Sequence, residues 1–402
     1  MFIKAVAAVI GIASIGSVVS AQPYTLNDYI NALLSTNPQL NEKRALVDKA
    51  REEVVTATRL MDPVLSTDIP LSEKMTPAVS LEQGIPWVSK LVIKKRITAS
   101  TLAAAQMRLR DEENDLLSMI RADYYRLYEK GKVVDLLRES LELINQATEN
   151  AQVAYANGTM PQATILKFQL EAAQLEDRIL QTGTQADAIR DALVAKTGLS
   201  RDNMDFPDHL PTLSVPDSLS RIIDLSVDQN PLITALAADS VREHERVKLR
   251  RAAYFPDAMI GVKVNDAFSS SRMPMAMAGI SLPIWAGKNH AAVRSSQAEL
   301  EVARRRLERE TDELTSEATT LFRNYREVQR RIALIDNVLL PTAEQVLSSV
   351  EAGYRTSTMS VLEYLDAQRA LIDIKIERVT LETNKEVIAA EIVLCCLGAT
   401  GQ

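Results

Sequence analysis

A duplication of nearly the whole chain limits its fold more than any other feature of the sequence. The stretch LSTNPQL returns as SVDQNPLI, which places Pro38 and Pro231 193 residues apart. A helix-like stretch follows each copy and leads to a second proline, Pro63 or Pro256, again 193 residues apart. Each of these prolines opens a strand-like stretch that closes on QGIPW or SLPIW. Self-similarity at this distance predicts two copies of one structural unit.

The later part of each unit repeats as well. The stretch AYANGTMPQATILKFQLEAAQ is similar to VEAGYRTSTMSVLEYLDAQ, and their alignment pairs Gly158 with Gly353. A linker with three prolines, at 200–220, separates the two units. We therefore expect a first structural repeat over 22–216 and a second over 217–402.

Very long helices are expected in each repeat. From Trp87 to Asn157 there is no proline and one glycine, and the apolar residues mostly follow the spacing of a coiled-coil seam. The second copy runs from about Lys288 to Leu340, where Pro341 is expected to break or kink it. Helices this long cannot fold back on a compact core. They need neighbours along their length, from the other repeat or from other subunits.

Four strand candidates form two predicted hairpins, at about 63–86 and 256–284, with turns near 72–74 and 269–272. Each leg has one apolar and one mixed face and the length of a membrane-spanning strand. A hairpin alone would leave unpaired backbone groups in lipid, and four strands are too few to close a useful pore, so several chains must share one barrel. The alternative is a pair of soluble edge hairpins packed on helices. The mixed faces supply these pore-lining candidates: Asp68, Glu82, Lys263 and Asn265.

The N-terminus has the organisation of a secretory signal peptide, over residues 1–21. Lys4 precedes an apolar stretch that reaches Val19, and small residues lead to a predicted cleavage site after Ala21. The mature chain is therefore expected outside the cytosol. Its net charge of -7 and its lack of a pronounced basic patch argue against a nucleic-acid partner.

The chain contains no motif that indicates catalysis or a cofactor. No HExxH, CxxC, Gly-rich phosphate loop or GxSxG occurs, and the three histidines are scattered. The adjacent Cys395 and Cys396 would bridge poorly, because a disulfide strains the peptide between neighbouring cysteines. We interpret them as small apolar core residues and expect neither enzymatic activity nor a cofactor.

The mature chain resembles the TolC-like outer membrane efflux family over its whole length. The resemblance rests on YTLNDYINALLSTNP, on the second NP motif, on GISLPIWAGK at the entry of a long helix, and on GYRTSTMSVLEYLDAQRAL. Within that family, SLPIWAGK is most similar to the outer membrane partners of heavy-metal resistance pumps.

This resemblance implies a mainly helical fold with a small transmembrane β part. In a homotrimer, four strands per chain would form one 12-stranded barrel in contact with outer membrane lipid, and the long helical hairpins would form a coiled-coil tunnel, a helical barrel across the periplasm. The implied function is passive conduction in a tripartite efflux system. Substrates, with heavy-metal cations among the candidates, would come from a periplasmic adaptor (a membrane fusion protein) and an inner-membrane pump of the resistance-nodulation-division type. The alternative function is a pore-less helical-hairpin protein, either an adaptor or a structural spacer.

The resemblance also implies acidic residues at the periplasmic aperture. The letters VLE match the family's aperture motif and place an acid at Glu363, with Asp366 one turn further on the same helix face. Arg355 is a candidate partner for such carboxylates. The sequence departs from the family at another common aperture acid, which falls here at Met359 or Ser360.

The stretch MPMAMAGISLPIW carries Met273, Met275 and Met277 at every second position. In a strand they share the less apolar face with Gly279 and Ser281, and we expect that face to point into the pore. Thioethers there would suit soft metal ions such as Cu(I). The alternative is simple packing, because methionine fills irregular space and one bulge would reverse the facing.

Overall fold

The computed structural model describes residues 23–69, 77–266, 272–356 and 358–398. The predicted signal peptide and most of the two hairpin turns lie outside these residues. The elements of the first half are α1 (Leu26–Thr36), α2 (Pro38–Ala57), β1 (Val64–Asp68), β2 (Ala78–Ile85), α3 (Val88–Ala156) and α4 (Gln162–Thr197). Those of the second half are α5 (Leu219–Gln229), α6 (Pro231–Ala252), β3 (Ala258–Asn265), β4 (Met273–Ile280), α7 (Ala286–Leu334), α8 (Leu340–Arg355) and α9 (Val361–Ala390).

The duplicated Asn-Pro motif forms the junction between two helices in each half. The side chain of Asn37 accepts a hydrogen bond from the backbone N–H two residues further on, at 2.8 Å. Asn230 accepts one from the N–H three residues further on, at 3.1 Å. Pro38 and Pro231 occupy the first helical position, where an N–H would have no partner within the helix. The motif therefore repeats because it encodes the same helix start twice.

The first long helix is confirmed, because α3 runs for 69 residues, or about 100 Å at 1.5 Å per residue. In the second half, Pro341 does not break the helix. Instead, α7 continues through a π-helical segment, Ile335–Leu339, into α8. The N–H of Leu340 donates a hydrogen bond there to the carbonyl of Ile335, five residues earlier. This wider turn lets the helix continue through Pro341, which has no backbone N–H to donate.

The two glycines that the sequence aligns do not occupy equivalent positions. Gly158 lies in the turn after α3 with a φ of +73°, whereas Gly353 lies inside α8. Gly158 comes two residues after the end of α3 at Ala156, whereas Gly353 comes two residues before the end of α8 at Arg355. A glycine is needed at position 353 for a different reason, because a Cβ there would lie 2.4 Å from the Cγ of Met359.

The four strands form one antiparallel sheet in the order β1-β2-β3-β4, as the two predicted hairpins require. The pairing of β2 with β3, from Ala78↔Asn265 to Ile85↔Ala258, joins the two halves of the chain. The edge strands β1 and β4 each have one neighbour. Both outer edges of the sheet are therefore open to further pairing.

The helices continue below the sheet as a layer centred on α3. Near the sheet their order is α2-α3-α6-α7, and at the far end it is α4-α3-α9-α8. The helices α2 and α4 thus lie along one side of the chain, and α7 and α8 along the other. Among the described residues, no helix combines the length and the apolarity that a membrane span requires.

In the described part of the chain, three apolar cores hold this layer together, one of them around α5, α7 and the segment Glu391–Cys396. Cys396 is buried in that core with a free thiol, as expected for a small apolar residue. Burial raises the pKa of this thiol to about 12, so that it is uncharged at neutral pH.

Candidate functional site

The strand register gives the sheet one polar and one apolar face. Residues paired across an antiparallel sheet point to the same side, so each row of partners, such as Ser66, Ser80, Lys263 and Met275, shares a face. The polar face carries all the pore-lining candidates together with the methionine triplet: Asp68, Glu82, Lys263, Asn265, Met273, Met275 and Met277. The other face carries mainly apolar side chains: Leu65, Val79, Leu81, Ile85, Ile260, Val262, Val264, Ala276, Ala278 and Ile280.

Side chains on the polar face contact one another. The ammonium group of Lys263 lies 2.6 Å from a carboxylate oxygen of Asp68, reaching across β2 to β1. The side-chain amide of Asn265 donates a hydrogen bond to the sulfur of Met275 at 3.2 Å. Glu82 is half-buried on the same face. The structure therefore brings these four predicted residues together on one surface.

On the two central strands, β2 and β3, the polar face is the more crowded one. A Cβ on Gly261 would lie 2.8 Å from the carbonyl oxygen of Leu81 and 3.1 Å from the Cγ of Glu82. On the apolar face, by contrast, Ile260 and Val262 are more than half exposed. Side chains converge on the inner side of a curved sheet and diverge on its outer side. We conclude that the polar face is concave and the apolar face convex.

Exposed aromatic side chains mark the junction between sheet and helices. Trp87 stacks on Phe255 with ring centroids 5.8 Å apart, and both rings remain about half exposed. Asp257 fixes this junction, since it accepts from the backbone N–H of Trp87 at 2.8 Å and from Lys90 at 2.7 Å. Trp285 is largely exposed at the corresponding position before α7. Aromatic residues of this kind are typical of a membrane–water boundary.

The turns that join α3 to α4 and α8 to α9 meet at the far end of the helices, which we call the helical tip. An aromatic cluster holds it together. Tyr354 and Tyr364 stack with centroids 5.4 Å apart, and Phe168 meets both rings edge-on. The hydroxyl of Tyr354 also lies 3.7 Å from the sulfur of Met160 in the first turn. The tip is thus a contact between the two repeats.

Glu363 lies at this tip with its carboxylate engaged in a helix cap. It accepts a hydrogen bond from the backbone N–H of Ser360 at 2.7 Å, while the Ser360 hydroxyl accepts from the N–H of Glu363. This reciprocal capping box starts α9. The bonds to the backbone and then to the hydroxyl of Ser360 hold the pKa of Glu363 below its usual range.

The other two aperture candidates have separate partners. Arg355 pairs with Glu351 in its own helix, at 2.5 Å. Asp366 lies 3.6 Å from Arg369, one turn further along α9, and is well exposed. Within one chain the structure therefore does not bring Arg355 to Glu363 or Asp366.

Two ion pairs that join the repeats below the tip were missed by the sequence reasoning. Arg369 on α9 bonds to the buried Glu171 on α4, with its Nε at 2.8 Å. Arg178 lies 3.1 Å from Asp373 between the same helices. A signal existed for the first pair, because Glu171 continues the apolar stripe of Phe168 at helical spacing, and a carboxylate in such a seam needs a cation.

An acidic cavity of about 560 Å³ lies between α3, α6 and α7. Burial, followed by the charge of Asp115, raises the pKa of Asp111 to about 6. Burial, followed by the charge of Glu317, also raises the pKa of Glu391. Among the described residues no three His, Cys, Asp or Glu side chains are arranged to hold a metal ion. Burial thus disfavours the charged form of two carboxylates in this cavity, Asp111 and Glu391.

Comparison with known proteins assigns the second half of the chain to a family. Residues 222–393 match the family model described as outer membrane efflux protein. This family consists of outer membrane efflux channels, which confirms the prediction that the chain is not an enzyme.

Individual relatives cover the chain almost completely. The cobalt-zinc-cadmium resistance protein CzcC of Cupriavidus metallidurans is 22% identical over 373 residues, which are 89% of this chain and 86% of that protein. The outer membrane protein VceC of Vibrio cholerae superimposes with a TM-score of 0.80 at 19% identity, over 93% of this chain and 96% of its own. CusC does so with a TM-score of 0.78 at 16% identity, over 92% and 91%. At these identities the structural likeness establishes the fold.

Proposed function

Since this chain belongs to the outer membrane efflux family through its second half and has the fold of such channels throughout, we propose that it is the outer membrane duct of a tripartite efflux system. It would reach the outer membrane after cleavage near Ala21 and conduct passively what an inner-membrane pump and a periplasmic adaptor deliver. The pump would be of the resistance-nodulation-division type.

The observation that carries this proposal is a short sheet with a polar concave face, an apolar convex face and two open edges. In lipid an open edge would leave backbone groups without partners, so the sheet must close on itself. Pairing β4 of one copy with β1 of the next would close it, and three copies would give twelve strands. The convex face would then contact lipid, and the concave face would line the pore.

The repeat predicts which helices meet between copies. Within one chain, Arg96 on α3 lies 3.9 Å from the buried carboxylate of Glu245 on α6. The repeat-equivalent positions, counted from the starts of the matching helices, are Arg294 on α7 and Glu52 on α2. Both are exposed, they lie on opposite outer sides of the chain, and their charges match those of the internal pair. This agreement supports a contact between α7 of one copy and α2 of the next.

Cysteine cross-linking tests that contact. In a background with Cys395→Ala and Cys396→Ala, the pair Glu52→Cys and Arg294→Cys should cross-link into covalent trimers in isolated outer membranes. Either single variant, or Arg294→Cys combined with Glu149→Cys near the tip, should stay monomeric on the same gel. A soluble periplasmic monomer without cross-links would contradict the duct and favour the spacer or adaptor alternative.

Heavy-metal cations are the proposed substrates. The support is the name of the relative CzcC, a cobalt-zinc-cadmium resistance protein, together with the SLPIWAGK stretch. Deletion of the gene should lower survival in cobalt, zinc or cadmium salts and leave resistance to hydrophobic drugs unchanged. The opposite pattern would assign the duct to a drug pump.

The helical tip is the proposed periplasmic aperture and the end that docks on the adaptor. Asp366 is a better candidate than Glu363 for making the aperture selective for cations, because its side chain is exposed. Threefold symmetry would turn it into a ring of three carboxylates that attracts cations. Glu363 is already committed to the cap of α9, so its contribution would be to shape the aperture. Arg355 would reach a carboxylate of a neighbouring copy only after leaving Glu351.

A further inference from the structure

We propose that the concave face of the sheet carries a track of methionine thioethers that binds soft monovalent cations, of the class of Cu(I) and Ag(I), along the pore wall. The inference rests on the proposed function in taking this face as the wall of a pore. The track contains the three methionines of β4, Met273, Met275 and Met277. The tertiary structure adds Met61 and Met259 to them.

Four of the five side chains lie in successive rows of the sheet, and Met61 lies just before β1, beside the row nearest the helices. The row nearest the helices contains Met259 between Gly84 and Gly279. A Cβ on Gly279 would lie 3.2 Å from the Cε of Met259, and one on Gly84 would lie 3.1 Å from the Cε of Met61. Each of these two methionines therefore lies over a glycine. The next three rows carry the β4 methionines at every second residue, so that consecutive rows are about 7 Å apart.

Packing does not explain these methionines. The side chains of Met61, Met259, Met273 and Met275 are between 41% and 64% exposed, so they fill no gap in a core. The chain has twelve methionines, and five of them lie in or beside this small sheet. The methionines are therefore not evenly distributed along the chain. Most other apolar side chains of the strands lie on the convex face, with Val64 and Ala78 as exceptions, whereas these methionines lie among Ser, Asp, Glu, Lys and Asn side chains.

The charges on the same face leave the track accessible to a cation. Lys263 is the direct neighbour of Met275, but its ammonium group reaches away from β4 to Asp68 at 2.6 Å. Asn265 donates to the sulfur of Met275 at 3.2 Å, which orients the thioether and leaves a second lone pair for a metal. The positive charge of Lys263 is thus neutralised by Asp68 on β1, and the part of the concave face formed by β4 presents uncharged sulfur atoms.

The ligand chemistry selects the class of ion. Thioethers are soft, uncharged donors that suit Cu(I) and its analogue Ag(I), whereas zinc and cobalt sites need imidazole, thiolate or carboxylate ligands. Among the described residues no three His, Cys, Asp or Glu side chains come together to provide such a site. The track is therefore expected to bind monovalent soft ions and to pass divalent ones without retaining them.

Silver binding to the purified full-length protein in detergent tests the proposal. Cys395→Ala and Cys396→Ala are included throughout, because thiolates would bind Ag(I) strongly. Equilibrium dialysis should show saturable retention of Ag(I), with no saturable retention of Zn(II) or Co(II). Replacing Met259, Met273, Met275 and Met277 by Leu, a substitution that conserves volume, should abolish the Ag(I) retention. The matched control replaces Met119 and Met359, exposed methionines outside the sheet, and should bind like the parent.

A second measurement keeps the test independent of the folding of the fourfold variant. In the parent protein labelled with ¹³C-methyl methionine, Ag(I) should shift the signals of the track methionines, assigned through single Leu variants, and leave the signal of Met119 in place. No Ag(I) retention by the parent, unchanged retention in a folded fourfold variant, or equal shifts for Met119 would each overturn the proposal. The cross-link between Glu52→Cys and Arg294→Cys reports separately on the duct, so either idea can fail without the other.

Discussion

The ion pair between Glu171 and Arg369 offers a quantitative test of how the repeats are tied together below the helical tip. The substitution Glu171→Gln keeps the shape of the side chain and removes its charge. The side chain of Glu171 is 7% exposed, and its carboxylate accepts hydrogen bonds from the Nε and a second nitrogen of Arg369. The hydrogen bonds that Arg369 donates to Glu171 are also the main reason that the pKa of Arg369 is raised.

The expected loss follows from this geometry. A hydrogen bond to a charged group contributes about 1.5–3 kcal/mol, and a buried partner left behind adds to the cost. Arg369 is 40% exposed and keeps Asp366 at 3.6 Å, so we expect the lower end, about 1.5–2 kcal/mol. Since each 1.4 kcal/mol is a factor of ten, local opening of α4 against α9 should become about ten to thirty times more frequent.

Amide hydrogen exchange in the assembled protein measures this opening. Protection should fall about ten- to thirtyfold in the first turns of α4 and α9, and α2 and α6 near the sheet should keep their protection. The matched control is Asp373→Asn, which removes a pair between the same two helices whose side chains are 41% and 60% exposed. Such a surface pair contributes less than about 1 kcal/mol, so protection there should fall less than about fivefold. Equal effects of the two variants, or an effect of Glu171→Gln that spreads to α2 and α6, would refute the reasoning.

Two further predictions concern packing and burial. Gly353→Ala should lower the thermal unfolding midpoint, with a cost of about 1–3 kcal/mol, because its Cβ would lie 2.4 Å from a side-chain carbon of Met359; Gly183→Ala, where a Cβ meets nothing within 4 Å, should leave it unchanged or raise it. Asp111→Asn should stabilise the protein by up to about 3 kcal/mol at pH 8 and hardly at pH 4, because the folded pKa of about 6 lies above the ordinary 3.8 and the burial penalty appears only as pH rises through that window. A stabilisation of equal size at both pH values would contradict this account.

Much of the fold could be predicted because its signals are local. The Asn37-Pro38 and Asn230-Pro231 junctions encode helix starts within four residues, and α3 follows from a long stretch without proline. Apolar and polar residues alternate with the period of a strand, so the grouping of Lys263 with the methionines of β4 could be anticipated. The pairing of strands later placed that group on the concave face.

The aperture candidates show the limit of such reasoning. The resemblance predicts an aperture acid at Glu363, and the structure adds that its carboxylate caps α9, because the hydroxyl and N–H of Ser360 lie three residues before it. Pro341 was expected to break or kink the helix, and it does not break it, because a wider turn before it lets the helix continue without the N–H that proline lacks. In both cases a local hydrogen bond involves a backbone group near the residue in question, and only the three-dimensional structure shows it.

By itself, the sequence determined the duplication, which is visible as similar stretches 193 residues apart. It also determined the length of α3 and the alternation of the strands, because these depend on residues within one turn or one pleat of each other. Only the tertiary structure decided which side chains from distant parts of the sequence meet. Glu171 with Arg369, Lys263 with Asp68, and Met259 over Gly279 are contacts set by helix packing and strand register. A shift of one residue in that register would turn every strand side chain to the other face, and no local pattern encodes which partner lies opposite.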